Sequence, residues 1–154
     1  MRARLSLFAA AIVLFAAVAA RAGGNLVTIE KFNIAGAELD LDTFEQNGQA
    51  TGLLGIIMGK DRNAFTFDKG EIVEFLELYR KTVAARGAGA WKEMGTLSEH
   101  GTKDVSRLTL SAGPGVRFVL ASPAGPTQVF TLADSETARF ERGLLKIKAF
   151  LETK

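Results

Sequence analysis

The sequence of 154 residues contains no cysteine, one histidine, one tryptophan and three prolines. The lack of cysteine excludes disulfide staples, thiol catalysis, lipidation through an N-terminal cysteine and a Cys/His zinc site within one chain. The lone histidine, His100, sits in Ser98-Glu99-His100-Gly101-Thr102-Lys103. A catalytic histidine needs a nucleophile and an orienting partner in reach, and sequence neighbours do not supply that geometry. It reads as a solvated loop histidine. No G-x-S-x-G elbow occurs, nor a G-x-x-x-x-G-K-S/T phosphate loop. Gly87-Ala88-Gly89 lacks the third glycine of a dinucleotide loop, because Lys92 stands there. Glu38, Asp40 and Asp42 alternate along one strand face, but Phe44 and Glu45 occupy positions where a calcium loop needs a ligand and a glycine. The expectation is no catalytic residue, no metal and no cofactor.

What is present begins with an export signature. Arg2 and Arg4 precede the apolar run Leu5 to Ala20, and Ala20-Arg21-Ala22 is a small-x-small site. A charged start, a short apolar run and such a site read as a secretory signal peptide covering residues 1–22. The run is shorter than the roughly 20 apolar residues of a membrane span. No later run approaches that length, so no transmembrane segment is expected after cleavage. The localisation expected is periplasmic or secreted.

Loss of residues 1–22 changes the charge argument. The whole chain has 19 Lys and Arg against 17 Asp and Glu. Arg2, Arg4 and Arg21 leave with the signal, so the mature segment 23–154 holds 16 basic and 17 acidic residues. It therefore has no global cationic excess with which to release counterions from a nucleic acid. The charge is unevenly placed. Residues 23–79 carry 4 basic and 10 acidic residues, and residues 80–154 carry 12 basic and 7 acidic ones. An acidic half docked on a basic half, or a head-to-tail partner, would use that asymmetry.

Two amphipathic helices stand out. In the first, Asp68 and Glu71 have the spacing of a capping box. Ile72, Phe75, Leu76, Tyr79 and Val83 then recur at helical steps. Early glutamates and late basic residues complement the dipole, and Gly87 ends it. The second starts at Asp134 or Ser135, with Thr137, Phe140, Leu144, Ile147 and Leu151 as its stripe. Strand-type sequence precedes each. Ala37 to Asp42 alternates apolar and acidic residues, predicting a half-buried strand with the acids outward. Asn47-Gly48 predicts a hairpin. Leu53–Met58 and Ala64–Phe67 follow, separated by a turn over 59–63. In the second half Leu108 and Leu110, Val116 and Phe118, and Phe130 and Leu132 alternate with polar residues, and all prolines fall in turns.

The halves resemble each other at one constant offset, the step from Phe65 to Phe130. At that offset Phe65-Thr66 matches Phe130-Thr131, and Glu71, Phe75, Lys81 and Ala84 match Glu136, Phe140, Lys146 and Ala149. Residues 26–87 and 90–153 thus read as two ββββα units, an α+β fold in one mature domain whose units share a core. An α+β sheet with two helices and no duplication is the competing reading. The paired-unit arrangement resembles the PC4/Whirly-like fold of single-stranded-nucleic-acid-binding proteins. The Lys-Gly-Lys-Ala-type strand motif of the plant Whirly proteins is absent, so the resemblance implies a fold and no functional residue.

One constellation remains. If Leu108, Leu110, Val116 and Phe118 face the core, Arg107 and Arg117 face outward near each other on adjacent strands. Trp91 opens the same half. Arginines beside an aromatic on a sheet face suit anionic or stacking ligands. The function expected is an exported, non-catalytic binding or structural module of the cell envelope, with a protein partner or self-association. The alternative is a module for single-stranded nucleic acid or another polyanion, using the basic C-terminal half and Arg107, Arg117 and Trp91. Intact mass or N-terminal sequencing of the extracellular fraction checks the export step: the mature chain should begin at Gly23.

Overall fold

The structure is a computed structural model, and it describes residues 23–100, 105–123 and 125–154. The chain runs β1 (Asn25–Ile34), β2 (Ala37–Gln46), β3 (Gln49–Met58), β4 (Asp61–Phe67), α1 (Glu71–Ala84), β5 (Lys92–Ser98), β6 (Arg107–Ala112), β7 (Val116–Ala121), β8 (Gln128–Leu132) and α2 (Thr137–Glu152). A 3-10 turn over Asp134–Glu136 leads into α2. The strands form two antiparallel meanders, β1-β2-β3-β4 and β5-β6-β7-β8. The α+β reading with two ββββα units holds.

Local chemistry explains the first sheet's tight turns. Gln46 pairs with Gln49, so Asn47 and Gly48 are the whole loop. Both have positive φ, 52° and 76°. That backbone twist matches the strands it joins, and Asn-Gly tolerates it best. The turn expected over 59–63 is shorter in fact. Met58 pairs with Asp61 across Gly59 and Lys60, and β4 already begins at Asp61. The capping box forms as its spacing implies. The Asp68 carboxylate accepts from the Gly70 and Glu71 amides at 2.8 and 2.9 Å, and Glu71 accepts the Asp68 amide at 2.7 Å.

The repeat is visible in the register. Glu30, Leu41, Leu54 and Phe65 form one row of the first sheet, and Gly95, Leu110, Phe118 and Phe130 form the same row of the second. A bulge interrupts β1 between Thr28 and Glu30, and another interrupts β5 between Glu93 and Gly95. First and fourth strands keep the Phe65-to-Phe130 offset. The second strand slips further, because β5 and β6 are joined by residues 99–106 where β1 and β2 need two. In the helices Ile72, Phe75, Tyr79 and Thr82 are buried, and their counterparts at the same offset, Thr137, Phe140, Leu144 and Ile147, are buried too.

The two units exchange helices. Helix α1 approaches β5 and β6 of the second sheet, while α2 approaches β1, β2 and β3 of the first. One cluster of buried residues drawn from both halves results. Phe140 is its centre, with ring centroids 5.6 Å from Phe32, 6.3 Å from Phe75, 4.9 Å from Tyr79 and 5.3 Å from Phe118. Those four rings come from the first sheet, α1 and the second sheet. Tyr79 donates its hydroxyl to the Thr137 carbonyl at 2.8 Å, and burial pushes its pKa up. A buried phenol with its hydrogen bond made costs little and fixes the helix pair.

Glycine permits the exchange at two matched places. A Cβ on Gly95 would lie 2.9 Å from Leu78 Cδ1, and one on Gly143 would lie 2.6 Å from Leu41 Cδ1 and 3.2 Å from Glu30 Cγ. Gly143 is the repeat counterpart of Leu78, and Gly95 is the counterpart of Glu30. Each crossing therefore sets a large side chain against a glycine, with the sizes reversed between the two. Phe140→Ala should cost about 3–5 kcal/mol, the usual range for emptying a buried aromatic site. Urea unfolding checks it; a loss under about 0.5 kcal/mol would be that of a surface position.

Candidate binding face

The outer face of the second sheet is exposed and regular. Register places Ser98, Arg107 and Ala121 in one row, Thr96, Thr109, Val119 and Val129 in the next, and Glu93, Ser111, Arg117 and Thr131 in the third. Thr96 and Thr109 share a hydrogen bond of 2.8 Å. Arg107 and Arg117 do point outward together, but they are not neighbours. Arg107 pairs with Ala121 and Arg117 with Ser111, so the Thr109–Val119 row separates them. Four residues of strand and one strand spacing put them about 14 Å apart. Alternation alone leaves this spacing open; the turn between Ala112 and Val116 sets it.

Trp91 lies beside one of them. The Arg117 guanidinium sits 3.9 Å over the indole centroid. The ring also lies against Gly113, where a Cβ would come within 2.6 Å of it. Trp91 is thus occupied as a rivet between the start of β5 and the β6–β7 turn, rather than held open as a stacking platform. Its effect is on Arg117, whose planar head is fixed by the stack. Gly113-Pro114-Gly115 reads as a plain turn in the sequence; its first glycine is what lets the indole approach.

Several other cations are held inside the molecule. Glu30 of the acidic half takes Lys146 at 3.0 Å and Arg139 at 3.5 Å, and Glu45 takes Lys154 at 2.8 Å. Arg80 pairs with Glu141 at 2.6 Å and Arg86 with Asp134 at 2.6 Å, binding α1 to α2 and to the turn that leads into it. The Arg139 guanidinium also stacks 4.2 Å over Phe32. The charge asymmetry is therefore used across the joint between halves. Arg107 and Arg117 have no ion pair among the described residues.

On the outer face of the first sheet the acids are less open to solvent than an outward alternation implies. Asp40 and Asp42 are half-buried, and each keeps one buried oxygen without a hydrogen bond. Burial raises the pKa of both, opposed by Lys31 at Asp40 and by a Thr28 hydrogen bond at Asp42. Lys31 pairs with Glu38 at 2.9 Å and reaches Asp40 at 4.0 Å.

His100 is 72% exposed, yet its loop is anchored. Its Nδ1 lies 2.8 Å from Glu71 Oε1 and 3.8 Å from Asp68 Oδ2, and its amide donates to Glu71 at 2.9 Å. Glu99 accepts from the Thr66 amide at 2.8 Å and its hydroxyl at 2.9 Å, covering a donor on edge strand β4. Asp68, Glu71 and His100 converge closely enough to hold an ion. Both carboxylates already serve the helix cap, so the grouping reads as a latch for the loop. Two clefts are shallow and open: one of about 210 Å³ between Lys60–Asn63 and Gly125, Pro126 and Gln128, and one of about 550 Å³ around Arg86, Pro114 and Asp134.

No family model matches the chain, and no curated protein matches it. Among solved structures it is similar to the one described as the structure of the plant transcriptional regulator PBF-2. The identity is 12%, the match covers 84% of this chain and 82% of that one, and the TM-score is 0.47. The likeness concerns the course of the chain alone. Among the described residues no helix is long and apolar enough to cross a membrane.

The acidic face carries a pH prediction. Asp42 binds its proton more tightly in the fold than its ordinary value of 3.8. Ionisation therefore weakens the fold as pH rises through the raised value, and the penalty vanishes below 3.8, where both states are protonated. Asp42→Asn should melt higher than the parent at neutral pH, with the advantage gone near pH 3; thermal unfolding at the two pH values measures this.

Proposed function

We propose that the chain is an exported, non-catalytic binding module of the cell envelope, working after residues 1–22 are removed, and that its binding face is the outer side of the second sheet. The observation that carries this is the contrast among its cations. Arg139, Lys146 and Lys154 are held by carboxylates of the first half. Arg107 stands free at one end of an exposed sheet, and Arg117 is fixed by Trp91 at the other. A side chain already held in place loses less entropy on binding than a loose one. Between them lie Thr96, Thr109, Ser111 and Val119, a floor with hydroxyls and methyls.

Such a face fits an extended ligand better than a compact one. Two guanidinium groups about 14 Å apart on a flat strand surface suit an anionic chain that crosses several strands. Single-stranded nucleic acid and other polyanions have that form. A protein partner with spaced carboxylates fits the same two groups, and the mature charge balance puts it first, since a polyanion gains little long-range steering here.

Titration of a fluorescent oligonucleotide and of a heparin-like polymer at two salt concentrations decides between them. For single strands each phosphate contact contributes about 0.7 to the slope of log affinity against log salt. The double variant Arg107→Ala, Arg117→Ala should therefore lower that slope by about 1.4 while leaving the melting temperature nearly unchanged. Absence of binding to either polymer at low salt excludes the polyanion and leaves the protein partner.

A further inference from the structure

The Phe65-to-Phe130 offset brings one further pair of matched segments together. Residues 60–63 lead into β4 and residues 125–128 lead into β8, and both stretches line the cleft of about 210 Å³. At the shared offset Asn63 corresponds to Gln128, Asp61 to Pro126 and Lys60 to Gly125. One wall therefore carries charge where the other carries none. A Cβ on Gly125 would have nothing within 4 Å, so the uncharged wall leaves room.

Side-chain direction fixes what faces the cleft. Asp61 and Asn63 share the face of β4 that carries Phe65 and Phe67, and Gln128 shares the face of β8 that carries Phe130 and Leu132. The cleft is thus at one end of the core, on the other side of the second sheet from Arg107 and Arg117. Gln128 is 3% exposed. Its Nε2 lies 3.5 Å from the Asp61 carbonyl, which turns Oε1 the other way, and Oε1 is buried with no hydrogen bond. A buried acceptor without a donor carries a desolvation cost that a donor from outside would remove. Asp61 adds a carboxylate to the same lining, and Lys60 and Arg62 add cations at the rim. These three residues are exposed, and none has an ion pair among the described residues.

We propose that this cleft binds a small zwitterion of the α-amino acid type. The ammonium group donates to Gln128 Oε1 and to the Asp61 carboxylate, and the ligand carboxylate meets Lys60 and Arg62. The size agrees. At about 30 Å³ for each water-sized group, the cleft of about 210 Å³ holds about seven such groups, enough for an amino acid with a short side chain. The charges agree as well. A simple anion would leave Gln128 Oε1 without a donor, and a simple cation would leave Lys60 and Arg62 unanswered. The site is separate from the outer face of the second sheet and stands without that reading.

The test titrates the full chain, isotope-labelled on nitrogen for NMR, with L-serine and follows the side-chain amides of Asn63 and Gln128. Both signals should move and saturate. N-acetyl-L-serine, which has no ammonium group, and ethanolamine, which has no carboxylate, should each bind at least about ten-fold more weakly. Gln128→Leu and, separately, Asp61→Asn should weaken L-serine binding by a similar factor, read at the Asn63 amide. Asp61 is exposed, so the second variant carries the test should the first disturb the fold. No movement of either amide at about 10 mM L-serine, ten times a millimolar dissociation constant, would overturn the proposal and leave the cleft to water. So would ethanolamine or N-acetyl-L-serine binding as tightly as L-serine, or L-serine binding that neither variant weakens.

Discussion

The structure depends on the exchange of helices between its two sheets. A four-stranded meander has one apolar face, and a helix has one apolar stripe. A short unit that folds its own helix back onto its own sheet leaves part of both exposed. Here α1 approaches β5 and β6, and α2 approaches β1 to β3. Neither half has a finished core without the other. Phe140 is the residue through which this operates, since its neighbours Phe32, Phe75 and Phe118 belong to three different elements of both halves. The matched glycine contacts, Gly95 with Leu78 and Gly143 with Leu41, set how closely each helix can approach its adopted sheet.

That constraint shaped what could be read from the amino-acid order. Helix stripes, the Asp68–Glu71 cap and the Asn47-Gly48 turn are local, and periodicity or spacing reports them directly. The duplicated plan was legible at the Phe65-to-Phe130 offset, because the last strand and the helix of each half keep it without gaps. The offset fails at β6, where residues 99–106 replace a two-residue turn, so the early strands aligned only loosely. Which sheet each helix covers was not legible. A stripe states that a face is buried and says nothing of its partner.

The binding face was half legible for a similar reason. Alternation put Arg107 and Arg117 on one face, since side-chain direction has period 2. Their separation depends on the length of the Gly113-Pro114-Gly115 turn, which fixes register rather than direction. The role of Trp91 depends on Gly113 and Arg117 together, a contact among three residues that pattern alone does not announce. Glu99 and His100 read as a polar loop. They act as an anchor, because the amide and ring of His100 meet Glu71 and the carboxylate of Glu99 meets Thr66.

Charge gives the last link between fold and function. The joint between halves draws Arg139, Lys146 and Lys154 onto Glu30 and Glu45, so much of the C-terminal basic excess serves assembly. Exposed pairs of this kind contribute little each, of order 0.2–1 kcal/mol, yet they select which faces meet. Their selectivity has a consequence for the sheet surfaces. Cations on helices can swing to meet a carboxylate across the joint. Arg107 and Arg117 stand on strands and face away from it, so the packing that engages Arg139 and Lys146 cannot reach them. The same geometry that closes the core therefore leaves two arginines on an exposed sheet, one of them held by Trp91, and it is this remainder that gives the molecule a surface with chemical character.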